Sequence, residues 1–248
     1  MLGLSNGIAH TGEDISDITP PSSYSMSFDG AGDWLTITET SFPIELDGED
    51  LSISFWCKRT DNNDEAVILG NSATASYKRL NFDSDGGRLY IESDQAGEYA
   101  YGIVTQDTNW HHYAVTSLGS GSGSGGIGEV VIYEDGDAVT TCHSSAGGCN
   151  FGNNLNKDFT IDRIGSDVGS GTTELKGLLY QLVIFNIVLT KDTVKAMYND
   201  GTPRSLDNMD GVSHFWKFSE NTGSTTADSV GSLTATLAGN AAFSSTTP

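Results

Sequence analysis

The side chains best suited to chemistry are four carboxylates in one short segment. Asp83, Asp85, Glu92 and Asp94 crowd FDSDGGRLYIESD. Glycoside hydrolysis needs two such groups held on one strand face, one as acid and one as base or nucleophile. Here they fall at a turn and at strand ends, so they read as solvated turn and edge residues. His111 and His112 follow Trp110. Neighbouring residues of a strand point to opposite faces, so the two imidazoles cannot share a metal; one is expected buried and hydrogen-bonded, the other exposed. Cys142 and Cys149 flank HSSAGG and could close a disulfide under oxidising conditions or remain thiols. Zinc at Cys142, His143 and Cys149 lacks a fourth ligand. Cys57 alternates in phase with Leu51, Ile53 and Phe55 and reads as a small buried apolar residue. No Ser/His/Asp set with local support and no phosphate-cradling glycine loop occurs. The chain is not expected to be an enzyme.

Binding is the other chemistry to weigh. Sugars dock on exposed aromatic faces flanked by amide and carboxylate partners. Trp34, beside FDGAGD, and Tyr99 and Tyr101, in GEYAYG, are the candidate ligand-binding residues. Ordinary packing inside a sandwich is the alternative for each.

Positioning these groups falls to β-strands. Of 248 residues, 30 are glycine and 5 proline, and 37% are apolar, enough for a core. Strand-like runs recur every 8–20 residues from Tyr24 to about Tyr198, the rhythm of an antiparallel jelly-roll β-sandwich. Asp135-Gly136 in YEDGDAV predicts a two-residue hairpin turn with φ > 0 at both positions. GSGSGSGGIG (119–128) reads as a flexible spacer. Thr190 predicts the cap of one short helix, with Val194, Met197 and Tyr198 inward and Gly201 as its left-handed stop. Three parts follow: an arm (1–23), the sandwich (24–200) and a C-terminal extension (201–248) expected to add strands.

Two segments suggest assembly contacts. The arm is too sparse in apolar residues to fold alone, yet Leu2, Leu4 and Ile8 could each fill a partner's pocket. Alternation puts Leu178, Tyr180, Leu182 and Ile184 on one face of the last long strand and Leu179, Gln181, Val183 and Phe185 on the other. Both faces are apolar where a half-exposed strand should be polar on one. Leu179, Val183 and Phe185 must therefore be covered, by the C-terminal extension or by a neighbouring subunit.

Charge narrows the partners. Asp and Glu number 33 against 12 Lys and Arg, a formal net charge of −21. Such a field opposes nucleic-acid and anionic-membrane binding, and no stretch is long enough for membrane insertion. The acidic excess is a solvated surface or, in part, a source of cation ligands. The N-terminal segment lacks the basic and apolar regions of an export signal.

FDGAGDWLTI, LSISFWCK, WHHYAVT and GLLYQLVIFNIVLT, in this order, resemble the laminin-G-like or concanavalin A-like jelly-roll family of lectins, pentraxins and accessory domains of glycanases. The likeness covers about residues 24–200. It implies a structural calcium at Asp29 and Asp33. The family's second pair of acids is missing, because its G-x-I-D-E pattern is here Gly177-Leu178-Leu179-Tyr180-Gln181. Without calcium, Asp33 would cap its own turn. HFWKFSENTGSTTADSVG is similar to an element that opens the domain in most relatives and follows the helix here. That layout is similar to predicted structural proteins of marine tailed phages. It implies a non-enzymatic virion protein (head decoration, head fibre or tail-associated) with other virion proteins as partners. Homo-oligomer formation and binding of a cell-surface glycan are expected as well. It would be made in the host cytoplasm and released in the virion by lysis. The alternative is a bacterial carbohydrate-binding or adhesion module; a glycanase or lyase is the third reading.

Overall fold

Branched and aromatic residues at every second position favour pleated strands with one buried face. The computed structural model describes residues 22–37, 43–44, 50–61, 65–72, 78–84, 87–92, 99–118, 130–143, 159–167 and 173–248. Leu2, Leu4, Ile8, Asp85, Asp94 and Cys149 lie outside them.

The first strands are β1 (Ser25–Asp29), β2 (Trp34–Ile37), β3 (Pro43–Ile44), β4 (Leu51–Arg59) and β5 (Ala66–Gly70). Next come β6 (Arg79–Phe82), β7 (Arg88–Glu92), β8 (Tyr99–Ile103), β9 (Trp110–Ser117) and β10 (Val130–Glu134). Then follow β11 (Asp137–Ala138), β12 (Thr141–His143), β13 (Phe159–Thr160), β14 (Arg163–Ile164) and the long β15 (Lys176–Phe185). After helix α1 (Lys191–Tyr198) the chain adds β16 (Val212–Trp216), β17 (Thr225–Ala227), β18 (Thr234–Ala238) and β19 (Ala242–Ser244).

Two antiparallel sheets form the sandwich. The first runs β11-β10-β9-β4-β15-β1-β19, with β16 also paired to β15. The second runs β12-β8-β7-β6-β5-β14-β2-β18-β17. Between them lies one core that includes Met26, Phe55, Tyr113 and Leu182 from the first sheet and Leu35, Phe82, Ile91 and Ile164 from the second. Cys57 is buried there as a free thiol. The strands after the helix join both sheets: β16 and β19 extend the first, β17 and β18 the second.

Local signals act as their chemistry requires. Asp135 and Gly136 both take positive φ, and the turn joins β10 to β11. Thr190 caps α1 by accepting the Thr193 N–H at 3.1 Å, and Val194 and Met197 are buried. The left-handed stop begins at Asn199 (φ 46°), two residues before the expected Gly201.

The alternation read along β15 breaks at Gln181, whose φ is 51° and which sits in a bulge. A bulge inserts one unpaired residue and so inverts the phase of everything after it. Leu179 therefore faces the inner core together with Leu182 and Ile184, and Tyr180 turns outward beside Trp56. The assignment of Leu179 to the outer face is thus corrected. Val183 and Phe185 do point outward, but the chain itself buries them. They form a second apolar cluster with Phe215 of β16, Val194 and Met197 of α1, and Leu206. No part of Leu179, Val183 or Phe185 is left for a neighbouring subunit, since each is 0% exposed.

Candidate functional site

The second sheet carries a different outer face. In a strand ladder, residues directly opposite share a face, so the register defines rows across the sheet. Arg79, Glu92 and Tyr99 form one row, and Asn81, Tyr90 and Tyr101 the next. Leu80, Leu89, Ile91 and Ala100, at the alternate positions, point into the core.

Three tyrosines cluster on this face. Tyr90 lies 5.3 Å from Tyr99 and 5.0 Å from Tyr101 between ring centroids, and all three are half-buried. The Arg88 guanidinium stands 5.1 Å over the Tyr101 ring. Beside them Arg79 contacts three carboxylates drawn from separate segments: Glu65 at 2.7 Å, Glu92 at 2.5 Å and Asp167 at 3.2 Å. Burial works against the Arg79 charge, but Glu92, Glu65 and Asp167 outweigh it and hold its pKa above the ordinary value. Burial pushes the Glu65 carboxyl up, and the nearby guanidinium only partly offsets this. Asn81 donates to Glu65 at 3.1 Å, while its buried Oδ1 has no hydrogen-bond partner. A cleft of about 280 Å³ is lined by these groups, Glu65, Arg79, Asn81, Tyr90, Glu92 and Tyr99, together with Asp83 and Ser84. It offers aromatic rings for apolar sugar faces and fixed oxygens and nitrogens for hydroxyl groups.

Of the expected ligand-binding residues, Tyr99 lines the cleft and the Tyr101 ring packs, tilted, against its Tyr90 wall. Trp34 is on the same face but several strands away, with the Arg163 guanidinium 4.6 Å over its ring. Glu92 and Asp83, read from sequence as solvated, line the cleft; Glu92 is ion-paired and Asp83 meets Arg88 at 3.4 Å. Sequence reasoning missed Glu65, Arg79, Asn81 and Tyr90. The alternation in RLNF and RLYIE already places Arg79, Asn81, Arg88, Tyr90 and Glu92 on one face, and that signal could have found most of them.

Asp29 and Asp33 do not meet this cleft. Fully buried Asp33 accepts the Asp29 N–H at 2.6 Å through one oxygen and the Asn240 N–H at 2.5 Å through the other. Asp29 accepts from the Asn240 side chain and the Ala31 N–H, and these bonds hold its carboxyl below the usual range. Calcium takes six to eight oxygens. Among the described residues no three His, Cys, Asp or Glu side chains gather as a metal site. Where the family pattern has acids, Tyr180 donates to the Ser22 carbonyl and Gln181 to the Arg204 carbonyl. Both Asp33 oxygens accept backbone N–H groups, and the two aspartates cap the loop and tie it to the β18–β19 turn.

Other expected residues lie elsewhere. Cys142 is buried and disulfide-bonded. His112 is buried on the outer face of the first sheet, where Ser54 Oγ is 2.8 Å from its Nε2 and Tyr198 stacks over it. Burial lowers its pKa to about 4. His111, at the sandwich edge, lies 2.7 Å from Asp135 and 3.0 Å from Asp107. The Asp135 hydrogen bond is the main reason its pKa rises to about 9. Among the described residues no helix is long and apolar enough to cross a membrane.

Residues 29–195 match a laminin-G-type family model described as the concanavalin A-like lectin/glucanases superfamily. No curated protein matches the sequence. One similar solved structure is a candidate carbohydrate binding protein from Bacteroides ovatus, at 14% identity and TM-score 0.58. The match covers 89% of this chain but 59% of that one, so this chain spans little more than half its length. A second is the heptameric SAP-like pentraxin from Limulus polyphemus, at 16% identity and TM-score 0.52, covering 92% of this chain and 97% of that one. At such identities the likeness shows the fold.

Proposed function

Because the chain belongs to the concanavalin A-like lectin/glucanase superfamily, we propose that it is a carbohydrate-binding module whose site is the tyrosine-lined cleft on the second sheet. One observation carries this reading: Tyr90 and Tyr99 stand half-exposed beside a prearranged network of Arg79, Glu65, Glu92 and Asn81. Aromatic rings take the apolar face of a sugar, and oriented carboxylates and amides select its hydroxyl pattern. Groups held by one another before the ligand arrives lose little freedom on binding, which favours affinity. The Bacteroides relative, named as a candidate carbohydrate binding protein, supports the same reading. The relatives lend support to the lectin-like part of the sequence reading and none to its virion setting.

The raised Glu65 carboxyl, beside Glu92, is the feature a glycosidase would use as its acid. Both carboxylates are nevertheless ion-paired to Arg79 through one oxygen each. Binding without cleavage is the reading adopted. A glycan array probed with the wild type, Tyr90→Ala and Tyr99→Ala tests it. Binding to a defined subset, lost at least tenfold in both variants, is expected. Equal binding by wild type and both variants would remove the cleft from the function. Release of new reducing ends from a bound glycan, abolished in Glu65→Gln, would make the protein an enzyme.

A further inference from the structure

Beyond the cleft, the same face continues toward Trp34. Arg163 opposes Gly70 on one side and Thr36 on the other, so its side chain and those of Trp34 and Thr36 share the outer face with Arg79. The Trp34 Nε1–H donates to Thr36 Oγ1 at 3.2 Å, which pins the indole along its strand. The Arg163 guanidinium lies over that ring and donates to the Asp167 carbonyl at 2.6 Å, while the Asp167 carboxylate meets Arg79. Gly70 permits this link, because a Cβ there would come within 2.3 Å of the Ser166 carbonyl oxygen. A continuous row therefore runs from the tyrosines through Arg79, Asp167 and Arg163 to Trp34. From β8 to β2 it crosses five inter-strand steps, about 24 Å at ordinary strand spacing.

Resting on the carbohydrate reading of the cleft, we propose that Trp34 is a second aromatic platform for the same ligand, an uncharged oligosaccharide lying across the strands. Two aromatic platforms about 24 Å apart, joined by polar groups, suit a chain of sugar units rather than a single ring. The charge argues for an uncharged chain. Among the described residues, Glu65, Asp83, Glu92 and Asp167 are the carboxylates of the row, against Arg79, Arg88 and Arg163. Each guanidinium is already engaged by carboxylates, a carbonyl or an aromatic ring, so an acidic sugar would meet carboxylates without a waiting cation.

The test is isothermal titration with neutral gluco- and manno-oligosaccharides of two to six units and with uronic-acid oligomers of matched length. Wild type should bind one neutral series, with affinity rising about tenfold between the shortest and longest members. Trp34→Ala should abolish that rise while leaving the shortest binder unchanged; Trp34→Phe, which keeps a ring, should retain it. Tyr90→Ala should weaken every member. If Tyr90→Ala weakens binding but Trp34→Ala leaves the length dependence intact, the second platform is refuted and the cleft stands. If Tyr90→Ala changes nothing, or no neutral oligomer binds, the cleft reading falls and the platform with it. Preference for the uronic series would refute the uncharged ligand.

Discussion

The outer faces of the two sheets are built from similar strands and end in opposite states. On the first, Val183, Phe185 and Phe215 lie beneath α1 and Leu206, and the imidazole of His112 is sealed under Tyr198. On the second, tyrosines and paired charges stay half-exposed. The difference teaches where each face's stability comes from. Apolar burial stabilises the first, at about 1.5–3 kcal/mol per large side chain. Groups of the second face are held by ion pairs and stacking worth much less each, and are therefore available to a ligand.

The largest expected effect breaks the covered face. Phe185→Ala should lower stability by about 3–5 kcal/mol, read from chemical denaturation, because a buried ring leaves a cavity. Glycan binding by the folded fraction should be unchanged. A loss under about 1 kcal/mol would mean that helix and strand do not seal this face.

Next is the loop seam between β1 and β2. Asp33→Ala leaves the Asp29 and Asn240 N–H groups without their acceptor and should cost about 1–3 kcal/mol. Chelation of calcium should leave the wild-type melting temperature unchanged. A fall restored by added Ca²⁺ would instead place an ion at this loop.

The histidines give a pH signature. His112 has a folded pKa of about 4, below the ordinary 6.5, so it contributes stability above 6.5 that is lost as pH falls toward 4. His111 has a folded pKa of about 9, so its contribution is complete below 6.5 and is lost as pH rises through 9. The melting temperature should decline on both sides of about 6.5, and His111→Gln should flatten the alkaline side alone. An unchanged alkaline limb in His111→Gln would assign that loss elsewhere.

The smallest stability effect belongs to the open face. Tyr90→Ala should cost about 1 kcal/mol or less, since the ring is half-exposed, while it removes binding. A cost as large as that of Phe185→Ala would make the tyrosine cluster part of the core and erase the contrast between the faces.

Much of the fold is legible because its signals are local. The Asp135-Gly136 turn, the Thr190 cap and the apolar period of LSISFWCK each depend on a few neighbouring residues. Tyr99 and Tyr101 are legible as candidates for the same reason. The ion-pair network around Arg79 is not, because its partners Glu65, Glu92 and Asp167 come from separate segments and meet only when β5, β6, β7 and the β14 loop align. Leu179 was misplaced because one left-handed residue, Gln181, inverts the period-two pattern, and no glycine marks the position.

By itself, then, the amino-acid order determined strand periodicity, turn chemistry, the helix cap and the acidic surface, all of which follow from backbone sterics and the alternation of side chains. Only the tertiary structure decided which sheet face is covered, that Asp33 serves backbone amides of its own turn and of the distant Asn240, and that four charged groups converge beside a tyrosine cluster. Those outcomes depend on pairing separate segments of the chain, 207 residues apart for Asp33 and Asn240, where the free energy of burial and ion pairing belongs to the assembled sheet and to no local stretch of chain.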